Sequence, residues 1–379
     1  MKPLEGLLVL DFSTLLPGPM ATLMLAEAGA EVIKIEPPTG DAMRSYEPKW
    51  GQDSAIFAML NRGKQSLAVD LKDTKALNEI LELVRKADIV VEQFRPGVMD
   101  RLGLGYAALS QINPQLIYCS ITGYGQIGPR AGDAGHDLNY AGDTGLLALS
   151  MGDVSHAVLP PTPIGDIGGG SFPAVINILL ALEDRRRSGS GRHIDIAMSE
   201  NMFVFSYWAL AAGFSTGRWP GNGTDLVTGA SPRYHVYATR DKKALIVAAL
   251  EPKFWTVFCD VIGLREALRD DEMDPLATMM EISRIIASQD SLTWSQKLVG
   301  RDCCCSLAAG LEAAVADPHF AARGVFAAQV VNESGDSMPA LPTPVIAAFR
   351  MNCEGQLNAP SLNVGSLQIA ENSKHAKTN

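Results

Sequence analysis

At 379 residues and 47% hydrophobic content, the chain is long enough for two structural units without reaching membrane composition. A net charge of −10 argues against nucleic acid as a partner, because that binding needs a basic surface that releases counterions; an anionic small ligand needs only local positive charge. The longest apolar windows, residues 176–182 and 203–214, are too short or too interrupted to span a bilayer, so a soluble protein with no membrane partner is expected, and six cysteines, three of them contiguous, fit a reducing, cytoplasmic setting.

The opening MKPLEGLLVLDFS has an apolar run that Asp11 ends early, with no small-residue cleavage site after it, and reads as a first strand rather than a signal peptide. PGPMATLMLAEAG, with Pro near its start and Gly at its end, predicts a helix, and AEVIKIEPP a second strand. The alternation continues through SLAVDL, a helix over 74–86, ADIVVEQF, a short helix after Pro96 and the strand QLIYCSITGYG. A parallel sheet flanked by helices, hence an α/β fold with a large Rossmann-like domain, is the economical solution.

A helix over 172–187 then leads to the strand HIDIAM and a helix over 200–213. The Gly-, Pro- and Thr-rich WPGNGTDLVTGASP marks a boundary. Beyond it YHVYATRDKKALIVAAL predicts two strands joined by a charged turn, and 252–324 is mainly helical. A small α+β domain is therefore expected over 225–330, with 1–224, completed by 331–379, forming the large one. Three contiguous cysteines, Cys303, Cys304 and Cys305, lie between helix-like flanks and cannot easily bridge one another or form a spaced cage, so no metal site is expected. The polar SKHAKTN tail is expected to be disordered.

Three segments carry chemistry. In IGDIGGGS, directly before the 172–187 helix, consecutive glycines let backbone approach a ligand, and N–H groups at a helix start favour negative charge beside Asp166. A cap residue and a tight turn explain the same letters. In RAGDAGHDLNY, His136 sits in a Gly- and Asp-rich loop, either as an ordinary hydrogen-bonded residue or as a group that moves protons both ways near neutral pH. In AALEPKF, Glu251 ends an apolar strand, where a carboxylate is commonly just solvated.

Together these segments resemble the family that joins α-methylacyl-CoA racemases with family III CoA-transferases of the CaiB/BaiF type. The similarity covers about residues 4–330 and rests on VLDFSTLLPGPMATLMLAEAGAEVIKIE, NRGKQSLAVDLK, FRPGVMDRLGLG, PQLIYCSITGYGQIGP, GHDLNY, GDIGGG, GRHIDIAM and ALEPKFW. The resemblance implies that Asp166 and His136 act as paired acid and base, with Glu251 orienting His136. The transferases use the GDIGGG aspartate as a nucleophile; GHDLNY is the racemase piece. The implied reaction epimerises the α-carbon of a 2-methylacyl-CoA thioester through an enolate, with Ile167, Gly168, Gly169 and Gly170 at the helix N-terminus stabilising the oxyanion. The rivals are a CoA-transferase and a catalytically silent CoA-binding protein.

No cofactor is implied beyond the coenzyme A of the substrate. By resemblance the nucleotide lies along Leu16, Pro17, Val69, Asp70, Leu71 and Lys72, and along Gln93, Phe94 and Arg95, while Gly135, Asp137, Leu138, Asn139 and Tyr140 approach the pantetheine. Arg62, Lys64 and Arg101 complete the set of candidate cations for its phosphates. Two departures stand out: Pro37 follows Glu36 where many members have an Arg, and PSLNVGSLQ replaces a GEHT-like motif. The family also implies an interlocked homodimer whose sites combine the large domain of one subunit with the small domain of its partner.

Overall fold

The computed structural model describes residues 2–350 and 356–363; the expected disordered tail lies outside them. The chain forms two compact units, one from residues up to 144, 162–205 and 318 onward, the other from 145–161 and 206–317.

In the first unit six parallel strands pair in the order Gln65–Ala68, Glu31–Glu36, Leu8–Asp11, Ile89–Glu92, Ile117–Thr122, Arg192–Ala197. The run of apolar letters without polar alternation is what a sheet covered on both faces requires. Leu10, Ile33 and Val90 pack on one face against Ile80, Val84 and Leu109, and the alternate residues Val9, Val32 and Val91 are equally buried. The sheet grows outward in both directions from Leu8–Asp11 and Ile89–Glu92, so the strand order reverses between these two neighbours. The expected α/β fold with its parallel sheet is what the chain adopts.

The second unit holds a three-stranded antiparallel sheet in the order Cys305–Leu307, Ala244–Ala248, Tyr234–Ala238. Its core of Tyr237, Leu245, Val247, Trp255, Phe258, Ile282 and Trp294 is built with the helices Pro252–Ile262, Pro275–Ile286 and Ser291–Leu298.

Four local expectations change. Residues 145–161 and 206–224 belong to the second unit and 318–330 to the first, in place of boundaries at 225 and 330; composition marks an exposed connection but not the unit to which the flanking segments belong. The cysteines are not lodged between helices: Cys304, at φ 51°, turns the chain, and Cys305 opens an edge strand pairing with Val247. The expected 200–213 helix breaks into Met198–Met202, a 3₁₀ turn Phe203–Ser206 and Tyr207–Thr216. Finally, Gly165–Ser171 is not a turn before a helix but a π-helix continuous with Phe172–Ser188. That makes Gly165–Ser188 long and apolar enough, by length and composition, to cross a membrane, which the shorter windows had hidden.

Candidate active site

Where strand order reverses in an open parallel sheet, the loops leaving neighbouring strand ends diverge and leave a crevice. Here a cleft of about 410 Å³ opens at that point, walled by Leu15 and Pro17 after the first strand and by Gln93, Phe94 and Arg95 after Ile89–Glu92. The Gln93 side-chain carbonyl accepts the Gly18 N–H at 3.0 Å, tying the two walls together. Leu15 sits at φ 60°, a left-handed conformation that a leucine adopts only when its surroundings enforce it.

Below these walls lies a buried charge cluster. Asp11 accepts the Thr22 hydroxyl at 2.6 Å and the Lys64 ammonium at 3.1 Å. Burial alone would raise its pKa, but Lys64, Lys34 and the Ser13 and Thr22 hydroxyls together outweigh burial and hold it at about 2. Lys64, wholly buried, is pushed down to about 8 by desolvation. Arg62 is equally sequestered, bonding Glu27 and the Leu341 carbonyl. Neither cation can reach a phosphate, which corrects their candidacy; they neutralise buried carboxylates instead. Lys72, Arg95 and Arg101 are exposed and form no ion pair among the described residues.

His136 and Asp166 both face the cleft. His136 is the residue before the helix Asp137–Asp143, and its N–H donates to the Asn139 side chain at 3.0 Å. The Tyr140 hydroxyl donates to the Gly135 carbonyl at 2.7 Å, and the Asp137 carboxylate accepts the Asp166 N–H at 2.9 Å. The starts of two helices, 29 residues apart in the chain, are thereby clamped together. Burial and the neighbouring Asp137 raise the Asp166 pKa to about 6, against the opposing effect of His136. An aspartate so placed can hold or release a proton near neutral pH, the property an acid/base residue needs. The Tyr140 phenol is pushed up to about 12 by burial and by Asp166, and so stays a neutral donor.

The glycines of GDIGGG admit protein rather than ligand. A Cβ on Gly168 would come within 2.5 Å of the Phe205 ring, one on Gly169 within 2.4 Å of the Met198 carbonyl oxygen, and one on Gly170 within 3.0 Å of Pro17. Asn201 seals the contact by donating to the Gly169 carbonyl at 2.9 Å. Close packing of this segment on the π-helix accompanies the break in the 200–213 helix. Because the helix opens at Gly165, the first-turn N–H groups belong to residues around Asp166, and the Ile167 N–H already bonds the Pro163 carbonyl at 3.1 Å. Gly169 and Gly170 are interior to the helix and buried, contrary to their expected place at an open end.

Of the other expected residues, Pro17, Gln93, Phe94, Arg95, Gly135, Asn139 and Tyr140 line the cleft. Asp137 supports it from behind. Leu16 packs instead with Met43, Phe57 and Leu60, Leu138 is exposed, and Val69, Asp70, Leu71, Lys72 and Arg101 lie away from the cleft wall. The Lys72 N–H donates to Asp70 at 2.9 Å. Pro37 lines a neighbouring groove of about 1000 Å³ that shares Leu15. Arg44, in the same groove, is committed to Glu36 and Asp53 and does not replace the missing arginine. Glu251 belongs to the second unit, exposed at the start of Pro252–Ile262, where its carbonyl accepts the Trp255 N–H at 3.0 Å.

Sequence reasoning missed Leu15, Thr122, Gly123 and Met198 as cleft residues. Each stands within four residues of the C-terminal end of a sheet strand. A strand order would have singled them out, but strand order is not written in any one segment.

A family model described as CoA-transferase family III matches residues 4–364. An acetyl-CoA:oxalate CoA-transferase from Acetobacter aceti is 40% identical over 270 residues, 71% of this chain and 69% of that one. An alpha-methylacyl-CoA racemase from Homo sapiens is 31% identical over 356 residues, covering 92% of this chain and 89% of the relative. Among solved structures, a CAIB/BAIF family protein from Brucella suis superposes with a TM-score of 0.78 at 28% identity, covering 96% of this chain and 97% of that one.

Proposed function

The chain belongs to CoA-transferase family III, and from that membership we propose that it is an α-methylacyl-CoA racemase, an isomerase that epimerises the α-carbon of 2-methylacyl-CoA thioesters. The observation that carries this reading is the meeting of His136 and Asp166 in one cleft, with the Asp166 carboxyl poised near neutrality. One group takes the α-proton as the C–H electron pair moves into the enolate; the other returns a proton to the opposite face, and the reverse direction exchanges their roles. The enolate charge develops beside the positive end of the helix that opens at Gly165. Lys72, Arg95 and Arg101 are the uncommitted cations for the coenzyme A phosphates. Glu251 orients His136 from the partner subunit of an interlocked homodimer, and no cofactor beyond the substrate's own coenzyme A takes part.

Transferase chemistry has its own support in the Acetobacter relative, 40% identical where it aligns. There Asp166 would be a nucleophile forming an acyl anhydride, and His136 would be dispensable. The deciding experiment incubates one enantiomer of a 2-methylacyl-CoA with the protein in deuterium oxide and follows the α-carbon by NMR. Epimerisation with deuterium incorporation is expected. Retained hydrogen and configuration, together with an anhydride trapped by hydroxylamine, would replace the racemase with the transferase.

A further inference from the structure

Behind the wall formed by residues 93–96 lies a second cavity, of about 210 Å³, and Arg95 lines both it and the catalytic cleft. Into this smaller cavity faces Glu92, the last residue of the strand Ile89–Glu92, only 3% exposed. Its carboxylate accepts the Phe94 N–H at 2.8 Å and the Ser120 hydroxyl group, and Ser120 in turn bonds His193 Nε2 at 3.0 Å. No cation neutralises it: Glu92 forms no ion pair among the described residues, unlike buried Asp11, Glu27 and Glu36, which each hold a lysine or arginine.

The groups around it make that deficit sharper. Asp100, from the helix Val98–Arg101, and Asp195, from Arg192–Ala197, add negative charge. Burial lowers the pKa of His193, which stacks on Tyr106, against the opposing effect of Asp195 and Asp100, and Tyr118 presents only a phenol. The Gln126 side-chain N–H₂ at the same cavity has no partner. Among the described residues Arg95 is thus the one lysine or arginine lining the cavity, and its side chain makes no hydrogen bond or ion pair there.

We propose that Glu92 is a positioning residue for the cleft: its carboxylate competes with the anionic ligand for the Arg95 guanidinium that the two cavities share. Ionised, Glu92 draws Arg95 back through the wall and leaves the cleft less cationic. Protonated, it releases Arg95 to the ligand. Desolvation raises the Glu92 pKa to about 7, so the exchange falls in the neutral range: release below, withdrawal above. By linkage, ligand binding takes up a proton at Glu92. The inference rests on coenzyme A being the ligand of this cleft.

The test measures coenzyme A binding by calorimetry from about pH 6 to about pH 8, either side of that value, in two buffers of different ionisation enthalpy. For the wild-type protein Kd should rise roughly fivefold more across this range than for Glu92→Gln, as for a partly screened charge pair, with greater proton uptake near neutrality than the variant shows. Comparison at matched pH removes the titration of the ligand and of Asp166. Should Glu92→Gln fail to fold by circular dichroism, Arg95→Gln, an exposed substitution, carries the test: it should bind more weakly throughout and lose the same pH step. Parallel wild-type and Glu92→Gln curves, or a step surviving in Arg95→Gln, overturn the competition. A wild-type protein that binds no coenzyme A at any pH refutes the ligand assignment and the competition with it.

Discussion

Asp166 owes its chemistry to its neighbours rather than to its type. A carboxylate at a helix start is ordinarily held in its charged form by the helix dipole, yet burial and Asp137 win here and raise it to about 6. The sign follows directly: Asp166 is a proton donor below that value and an acceptor above it. Turnover in the direction where Asp166 donates should fall as pH rises through about 6, a dependence that Asp137→Asn, by removing the neighbouring charge, should shift to lower pH; initial rates from each enantiomer across pH would check both. In His136→Ala and Asp166→Ala, net racemisation should fall by about two orders of magnitude or more, since each turnover needs a donor on the far face. The remaining base can still wash deuterium into the enantiomer whose hydrogen it faces, so the two variants should retain exchange with opposite enantiomers in NMR. Exchange with the same enantiomer in both would end the two-base assignment.

At the scale of elements, the π-helix and the broken helix that packs on it form one device. Seven residues of π-helix are uncommon, and such turns recur at functional sites because they re-aim side chains. Gly169 is what lets the Met198 carbonyl approach, so Gly169→Ala places a Cβ 2.4 Å from a backbone oxygen that cannot swing aside. It should destabilise the protein by roughly 1–3 kcal/mol and reduce activity by moving Asp166. Gly142→Ala is the control: it too is helical, but nothing lies within 4 Å of the added Cβ, and it should leave stability unchanged or raise it by about 0.5–1 kcal/mol. Thermal unfolding of both variants reads the contrast. Equal losses would mean that the close packing at Gly169 is not what holds this element.

For the whole molecule, the helix Phe172–Ser188 and the turn Phe203–Ser206 of the first unit leave Ile176, Leu180 and Val204 more than half exposed. A surface of this kind marks an association site. In the interlocked dimer that we propose, a second copy covers it and brings its own Glu251 to His136. Sedimentation should give about twice the 40.5 kDa chain mass at every workable concentration. Mixing His136→Ala with Glu251→Ala chains, refolded together, should restore part of the activity through hybrid dimers. A concentration-independent monomer with full activity would break the shared-site picture.

Much of this was legible in single segments. Apolar runs such as LLVL and IVV demand a sheet covered on both faces, and Pro17 and Gly29 bracket a helix, because these depend on residue type and short spacing alone, while the resemblance of GHDLNY and GDIGGG to a known family implied proton transfer. Tertiary structure decided the rest. Which cations remain free could not be read from their letters: Lys64 and Lys72 look alike in sequence, but one neutralises a buried aspartate and the other meets solvent. The triple glycine reads equally as a ligand cradle or a packing seam until the Met198 carbonyl is seen against it. The Asp166 pKa and the sharing of Arg95 between two cavities depend on burial and on charges tens of residues away. Electrostatics and close packing act through space, and only the strand order brings those residues within reach of one another.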